Sequence, residues 1–263
     1  MIIIDKLCYQ SNLRYVNATE KFMFAILTLT FCIISRSILM GIAVLIINCI
    51  LNVRVGGVRM RTYRRLMMLP LTFLVLSTFA IIINFSREPL DAFAIDFGSF
   101  YVTGSKAGLW RAVGLIVTAM ASVSCLYFLS LNTTMTDIID VCRKIRVPGL
   151  LLELMMLIYR FVFVLFDAAY NITTAQNSRL GNRDFKTKMV SFTGMIQVLF
   201  VISMKRSRAL YDAMEARCYD GQINVLSENP PVNSKNIAFI ILIEAILLAY
   251  TVYVKISDHG VIF

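Results

Sequence analysis

The sequence predicts an all-α integral membrane protein: about five transmembrane helices, plus long helices on the cytoplasmic side. Three observations carry this reading. Of the 263 residues, 58% are hydrophobic and 16% are charged, against roughly 45–50% and 25% in a soluble domain. Mean hydropathy is +0.73. Apolar runs near the length needed to cross about 30 Å of hydrocarbon, some 20 residues at 1.5 Å each, recur along the chain.

The first apolar stretch, Phe22 to Val53, is too long for one helix and is broken at Ser35-Arg36-Ser37. It is expected to form two short spans, 22–35 and 38–53, joined by a tight turn and accommodated by tilt or local thinning. The third span, 66–84, follows the basic run "RVGGVRMRTYRR". The fourth, 109–131, is led in by Trp110, a residue suited to the membrane–water interface. The last is 237–254, "IAFIILIEAILLAYTVYV". These assignments divide the chain into a four-span region (1–131), a segment of cytoplasmic-side helices (132–235) and a last span with its tail (236–263).

Basic residues orient the spans. Lys6, Arg14 and Lys21 precede the first; Arg54, Arg59, Arg61, Arg64 and Arg65 separate the second from the third; Arg143, Lys144 and Arg146 follow the fourth. Such segments stay on the cytoplasmic face. The loop "SREPLDAFAIDFGSFYVTGSK" is mixed in charge and falls outside. The net charge of +10 is therefore a topology signal. No nucleic-acid-binding motif accompanies it.

The segment 132–235 admits two readings. Its apolar runs at 149–166 and 189–204 could form a further membrane hairpin, but that would place "NSRLGNRDFKTK" outside, with four basic residues against one acid. Long helices at or below the inner surface fit the charge better.

The six cysteines form no CxxC and the one histidine, His259, is near the C-terminus, so no structural metal set is expected. The first 22 residues lack the pattern of a cleavable signal peptide. The 14 methionines are scattered, as expected of gap-fillers in helix packing.

Two helix ends match. In "FDAAYNITTAQNSRLG", Ala168, Ile172, Ala175 and Arg179 share a face at 100° per residue. In "MKRSRALYDAMEARCYDG", Arg206, Leu210, Ala213 and Arg217 do the same, with Met214 beside them, while Lys205, Asp212 and Glu215 point elsewhere. Each end places small residues on one face and an arginine in the last turn. A glycine, Gly181 or Gly221, is expected as the C-terminal cap. An arginine there complements the helix dipole in any protein. Two such ends, 38 residues apart, look instead like plugs for acidic grooves, since the planar guanidinium can bind a carboxylate with two hydrogen bonds.

At this point the chain resembles a known family. "IDKLCYQSNLRYVNATEKF", "AQNSRLG" at 175–181 and "SRALYDAMEARCYDG" at 207–221 are similar to the transmembrane T subunit of energy-coupling factor transporters, in its cobalt/nickel CbiQ type. The resemblance covers nearly the whole chain, and its most specific part is the Ala-Met-Glu-Ala-Arg core at 213–217. It implies an L-shaped helical fold in a prokaryotic cell membrane. It implies two cytoplasmic ATPase subunits, which bind ATP and magnesium, and a separate membrane subunit that captures cobalt or nickel. It assigns ATPase coupling to Arg179 and Arg217, in the context of Ala175, Ala213, Glu215 and Ala216. The sequence departs from the family pattern after each arginine, where Leu180 and Cys218 stand in place of glycine.

This chain carries no G-x-x-x-x-G-K-[ST] loop, so it is expected to hold no nucleotide, no cofactor and no metal of its own, and to be a non-catalytic subunit. Glu244, inside the last span, is either a transport residue or the partner of a polar group on a neighbouring helix. The 137–146 stretch, with Asp137, Asp140, Arg143, Lys144 and Arg146, reads as a short interfacial helix. Other classes fare worse. An intramembrane enzyme would need a catalytic constellation, and there is neither HExxH nor clustered aspartates in the spans. A self-contained secondary transporter would commonly show internal repeats, and none is found. A T subunit serving a vitamin or other micronutrient importer is the nearer alternative.

Overall fold

The fold is described by a computed structural model, covering residues 3–82, 84–86, 93–96, 101–104, 106–221, 223 and 234–258. His259, most of the outer-loop residues between 87 and 105, and the end of the 132–235 segment at 224–233 lie outside the described residues.

Nine α-helices run through the described residues: α1 (Ile3–Gln10), α2 (Ala18–Ser35), α3 (Ile38–Ile50), α4 (Met60–Ile82), α5 (Lys106–Asn132), α6 (Met135–Lys144), α7 (Gly149–Ser178), α8 (Phe185–Glu215) and α9 (Ser234–Asp258). A 3-10 turn (Asn12–Tyr15) follows α1, and a π-helical turn (Leu51–Val55) extends α3. The five expected spans fall on α2, α3 with its π turn, α4, α5 and α9. The break at Arg36 is a left-handed residue, φ 46°, between α2 and α3. Six described helical segments are long and apolar enough to cross a membrane: α2, α3 with its π turn, α5, α7, α8 and α9. By length and apolarity alone, α7 and α8 therefore qualify as well.

Between α4 and α5 the described residues hold a small three-stranded antiparallel sheet: β1 (Asn84–Ser86), β2 (Phe93–Asp96) and β3 (Tyr101–Gly104), in the order β1-β3-β2. Val102 pairs with Phe85 on one side and Ile95 on the other. β-branched and aromatic residues favour such strands.

The chain forms two compact units, one of 2–134 with 229–263 and one of 135–228. In the first, α5 packs against α1, α2, α3 and α4, and α9 lies against α2. Met40, Val44, Ala121, Cys125, Cys32 and Leu247 form one part of its core. Phe24 and Phe128 meet edge to face at 5.3 Å.

A buried polar network, absent from the sequence reading, knits one end of this unit. Asn132 donates to Asn52 Oδ1 and to the Phe128 carbonyl, both at 2.8 Å. Its Oδ1 accepts from Ser11 Oγ at 2.6 Å, and its carbonyl accepts from Lys21 Nζ at 2.7 Å. Asn52 in turn donates to the Asn48 carbonyl, and Asn48 to Ser124 and Cys125. Gly56 lies so close that a Cβ there would stand 2.7 Å from Asn132 Oδ1 and 2.8 Å from the Asn52 carbonyl. Buried amides of this kind are stable only when their donors and acceptors are matched.

Pro70 sits inside α4 and cannot donate to the Leu66 carbonyl four residues back. Tyr127 of α5 supplies a replacement, its hydroxyl donating to that carbonyl at 3.3 Å.

Candidate functional site

The second unit positions the two arginines. Its α6 is amphipathic and buries Ile139 and Val141; Arg143 pairs with Asp140 at 3.8 Å. The chain turns at Arg146, φ 66°, and Pro148 leads into α7. α7 and α8 are 30 and 31 residues long. Leu152 is the one buried residue that α7 carries among the described residues, and α8 carries none.

Arg179 caps α7, and Arg217 lies two residues past the end of α8. The two ends share one backbone pattern. The Arg179 amide donates to the Gln176 carbonyl, Leu180 to Asn177, and Gly181 back to Gln176 at 2.8 Å. In the same register the Arg217 amide donates to Met214, Cys218 to Glu215, and Tyr219 back to Met214 at 3.1 Å. The long 6→1 bond around a left-handed residue is a Schellman-type helix stop.

The left-handed residues are Leu180 and Cys218, at φ 58° and 57°. This corrects the sequence reading, which made Gly181 and Gly221 the caps. Gly181 does not take a positive φ, and Gly221 does so at 88° only three residues after Cys218. At a helix C-terminus the last carbonyls lack donors from a following turn, and the Gly181 and Tyr219 amides supply them to Gln176 and Met214. Gly181 is needed for space instead: a Cβ there would meet Ser191 Oγ at 2.8 Å and the Gln176 carbonyl at 3.0 Å.

Arg179, Arg217, Ala175, Ala213, Glu215 and Ala216 are all exposed. Neither guanidinium forms a hydrogen bond or ion pair with another described residue. Both are thus presented to solvent on helix ends, free to bind a carboxylate in a bidentate geometry.

The arginines are not brought together. At one end of the α7–α8 hairpin, Gln176 Nε2 donates to the Ser191 carbonyl at 2.7 Å and Ser191 Oγ to the Gly181 carbonyl at 2.6 Å. At the other, the Glu153 carboxylate accepts from the Tyr219 hydroxyl at 2.6 Å and from the Ile223 amide at 3.2 Å. Tyr219 is two residues from Arg217, whereas Glu153 is 26 residues from Arg179 along α7, about 39 Å at 1.5 Å per residue. The hairpin therefore carries one arginine tip at each end. The carboxylate pushes the Tyr219 pKa up, because it is best satisfied by a phenol that keeps its proton.

Glu244 faces the interior of the other unit, with 8% of its surface exposed. Neither of its carboxylate oxygens has a hydrogen-bond partner among the described residues. Among the described residues no group of three or more His, Cys, Asp and Glu side chains is placed to hold a metal ion.

The pattern of the CbiQ family, described as cobalt transport protein, matches residues 10–228. The chain is 31% identical over 265 residues to the uncharacterized protein MJ1089 of Methanocaldococcus jannaschii, with 97% of each chain covered. It is 28% identical over 250 residues to the cobalt transport protein CbiQ of Rhodobacter capsulatus, covering 94% of this chain and 96% of the relative. It is 31% identical over 161 residues to the energy-coupling factor transporter transmembrane protein EcfT of Exiguobacterium sibiricum, covering 58% of this chain and 60% of that one.

Proposed function

This chain belongs to the CbiQ cobalt transport protein family, and from that premise we propose that it is the coupling subunit of an ATP-driven importer of cobalt or nickel. At the coarser level it is a multi-pass prokaryotic membrane protein and the membrane component of a transporter of the energy-coupling factor type. The proposed partners are two cytoplasmic ATPase subunits, which hold the ATP and magnesium, and a membrane subunit that captures the ion.

The observation that carries the reading is the pair of matched helix ends. Each is an exposed arginine on the same backbone stop, and the two lie at opposite ends of one hairpin. A pair of ATPases offering like sockets would engage one tip each. When nucleotide closes and opens that pair, the tips move with it, and the motion passes to the substrate subunit. The nucleotide-biased, bistable element is the ATPase pair.

Copurification of the ATPases with wild type, Arg179→Ala, Arg217→Ala and the double variant tests this. Each single variant is expected to weaken assembly or uncouple ATP hydrolysis from uptake, and the double variant to abolish uptake. Unchanged assembly and uptake in the double variant would sink the reading. Uptake of radioactive cobalt and nickel with the substrate subunit present decides between the ions.

A further inference from the structure

Burial alone does not lock α7 to α8. Leu152 is the one buried residue among the described residues of the two helices. A cleft of about 370 Å³ opens where α7 begins, lined by Gly149, Leu152, Glu153, Met156 and Ile223. Apolar packing therefore leaves this end of the hairpin partly open. What crosses it is the Glu153 carboxylate, using one oxygen for the Tyr219 hydroxyl and the other for the Ile223 amide.

Tyr219 is also part of the helix stop that carries Arg217. Its amide donates to the Met214 carbonyl at 3.1 Å, around left-handed Cys218. A displacement of Arg217 thus moves Tyr219 with it, since few soft torsions intervene. At the far end, Gln176, Ser191 and Gly181 close the hairpin in the same manner.

We propose that Glu153 and Tyr219 are positioning residues: their hydrogen bond ties the Arg217 tip to the start of α7, so that α7 and α8 move as one lever. The proposal rests on the coupling reading above for its role in transport, but the tie itself is a property of this chain. Without it, a pull on Arg217 would swing the end of α8 and leave α7, with Arg179, behind.

The test has two arms. In the first, the full chain is placed in lipid nanodiscs with spin labels at Leu154→Cys and Arg208→Cys, after Cys49→Ser, Cys142→Ser and Cys218→Ser, and the distance distribution is measured by electron–electron double resonance. Tyr219→Phe and Glu153→Ala are expected to broaden it at least twofold. Their combination should be no broader than Glu153→Ala alone, because that variant already removes the bond that Tyr219→Phe deletes. Glu153→Gln keeps an oxygen acceptor and should remain near wild type. In the second arm, the assembled transporter is measured. Tyr219→Phe is expected to retain the ATPases and ATP hydrolysis while uptake per ATP falls about three- to tenfold, with Glu153→Gln again near wild type.

An unchanged distance distribution in both Tyr219→Phe and Glu153→Ala would overturn the tie; unchanged uptake per ATP in Tyr219→Phe would overturn its role in transport. If instead the arginine variants leave assembly and uptake intact, the coupling reading fails, while the distances still report on the tie. Loss of the folded chain in Glu153→Ala would leave Tyr219→Phe, which deletes one oxygen, to decide.

Discussion

Leu180 and Cys218 stand at the same backbone position, each one residue after an arginine that ends a long helix, and each left-handed, at φ 58° and 57°. For a residue with a Cβ this conformation costs roughly 1–2 kcal/mol. Replacement by glycine removes that strain but restores about 0.4–1 kcal/mol of unfolded-chain entropy. Leu180→Gly and Cys218→Gly are therefore expected to be neutral or to stabilise by up to about 1.5 kcal/mol. Leu180→Val, β-branched in a conformation that crowds it, should destabilise. Thermal unfolding in detergent checks the order; a glycine variant melting well below wild type would contradict it.

Much of this was legible in the sequence, and the rest was not for identifiable reasons. The spans on α2, α3, α4, α5 and α9 announce themselves by long, predominantly apolar stretches, and Arg179 and Arg217 by their place at the ends of small-residue faces. The backbone stop was misplaced because sequence reasoning looks for glycine at a left-handed position, and Leu180 and Cys218 carry no such mark. The Glu153–Tyr219 bond joins residues 66 apart, so no helical periodicity links them. Asn48, Asn52 and Asn132 are separate polar residues in apolar stretches of sequence, and only the packing of α3 and its π turn on α5 makes them a network.

Arg217→Lys is expected to fall between wild type and Arg217→Ala. Lysine keeps the charge but presents a single ammonium in place of a planar fork, so a bidentate contact becomes monodentate. A loss of about tenfold in affinity for the ATPases corresponds to about 1.4 kcal/mol. Titration of ATPase binding to the chain in nanodiscs measures it. A lysine variant equal to wild type would mean that charge alone, and no fork geometry, is read at that tip.

Gly181→Ala should disturb the turn between α7 and α8. Its Cβ would meet Ser191 Oγ at 2.8 Å and the Gln176 carbonyl at 3.0 Å, and Ser191 already donates to the Gly181 carbonyl. Something must shift, at a cost of about 1–3 kcal/mol. Ser191→Ala in the same chain removes the nearer obstacle and should recover part of it. Melting temperatures of the two singles and the double give the coupling directly.

Asn132→Leu is expected to be among the most destabilising substitutions in the first unit. It strands the Ser11 hydroxyl proton and Asn52 Oδ1, both buried, and each buried group left unpaired costs about 1–3 kcal/mol. Gly56→Ala strikes the same place from the other side, since its Cβ would stand 2.7 Å from Asn132 Oδ1. Both are expected to lower the melting temperature and the folded yield while leaving the arginine tips of the second unit exposed. A melting temperature within a degree of wild type for Asn132→Leu would show that the network contributes little.

The membrane position of the α7–α8 turn can be decided at Asn182. Both helices have the length and apolarity to cross a bilayer, so these properties do not discriminate. Charge does: Arg179, Arg183, Lys186 and Lys188 surround the turn, with Asp184 the single acid among them. Holding those cations on the outer face would oppose the bias that keeps basic segments in the cytoplasm. Asn182→Cys, in a chain with Cys49→Ser, Cys142→Ser and Cys218→Ser, is therefore expected to react with a membrane-impermeant maleimide in inside-out vesicles and to be silent in intact cells. Labelling in intact cells would put both helices across the membrane and Arg179 on the face opposite the ATPases, leaving a single tip, Arg217, to couple.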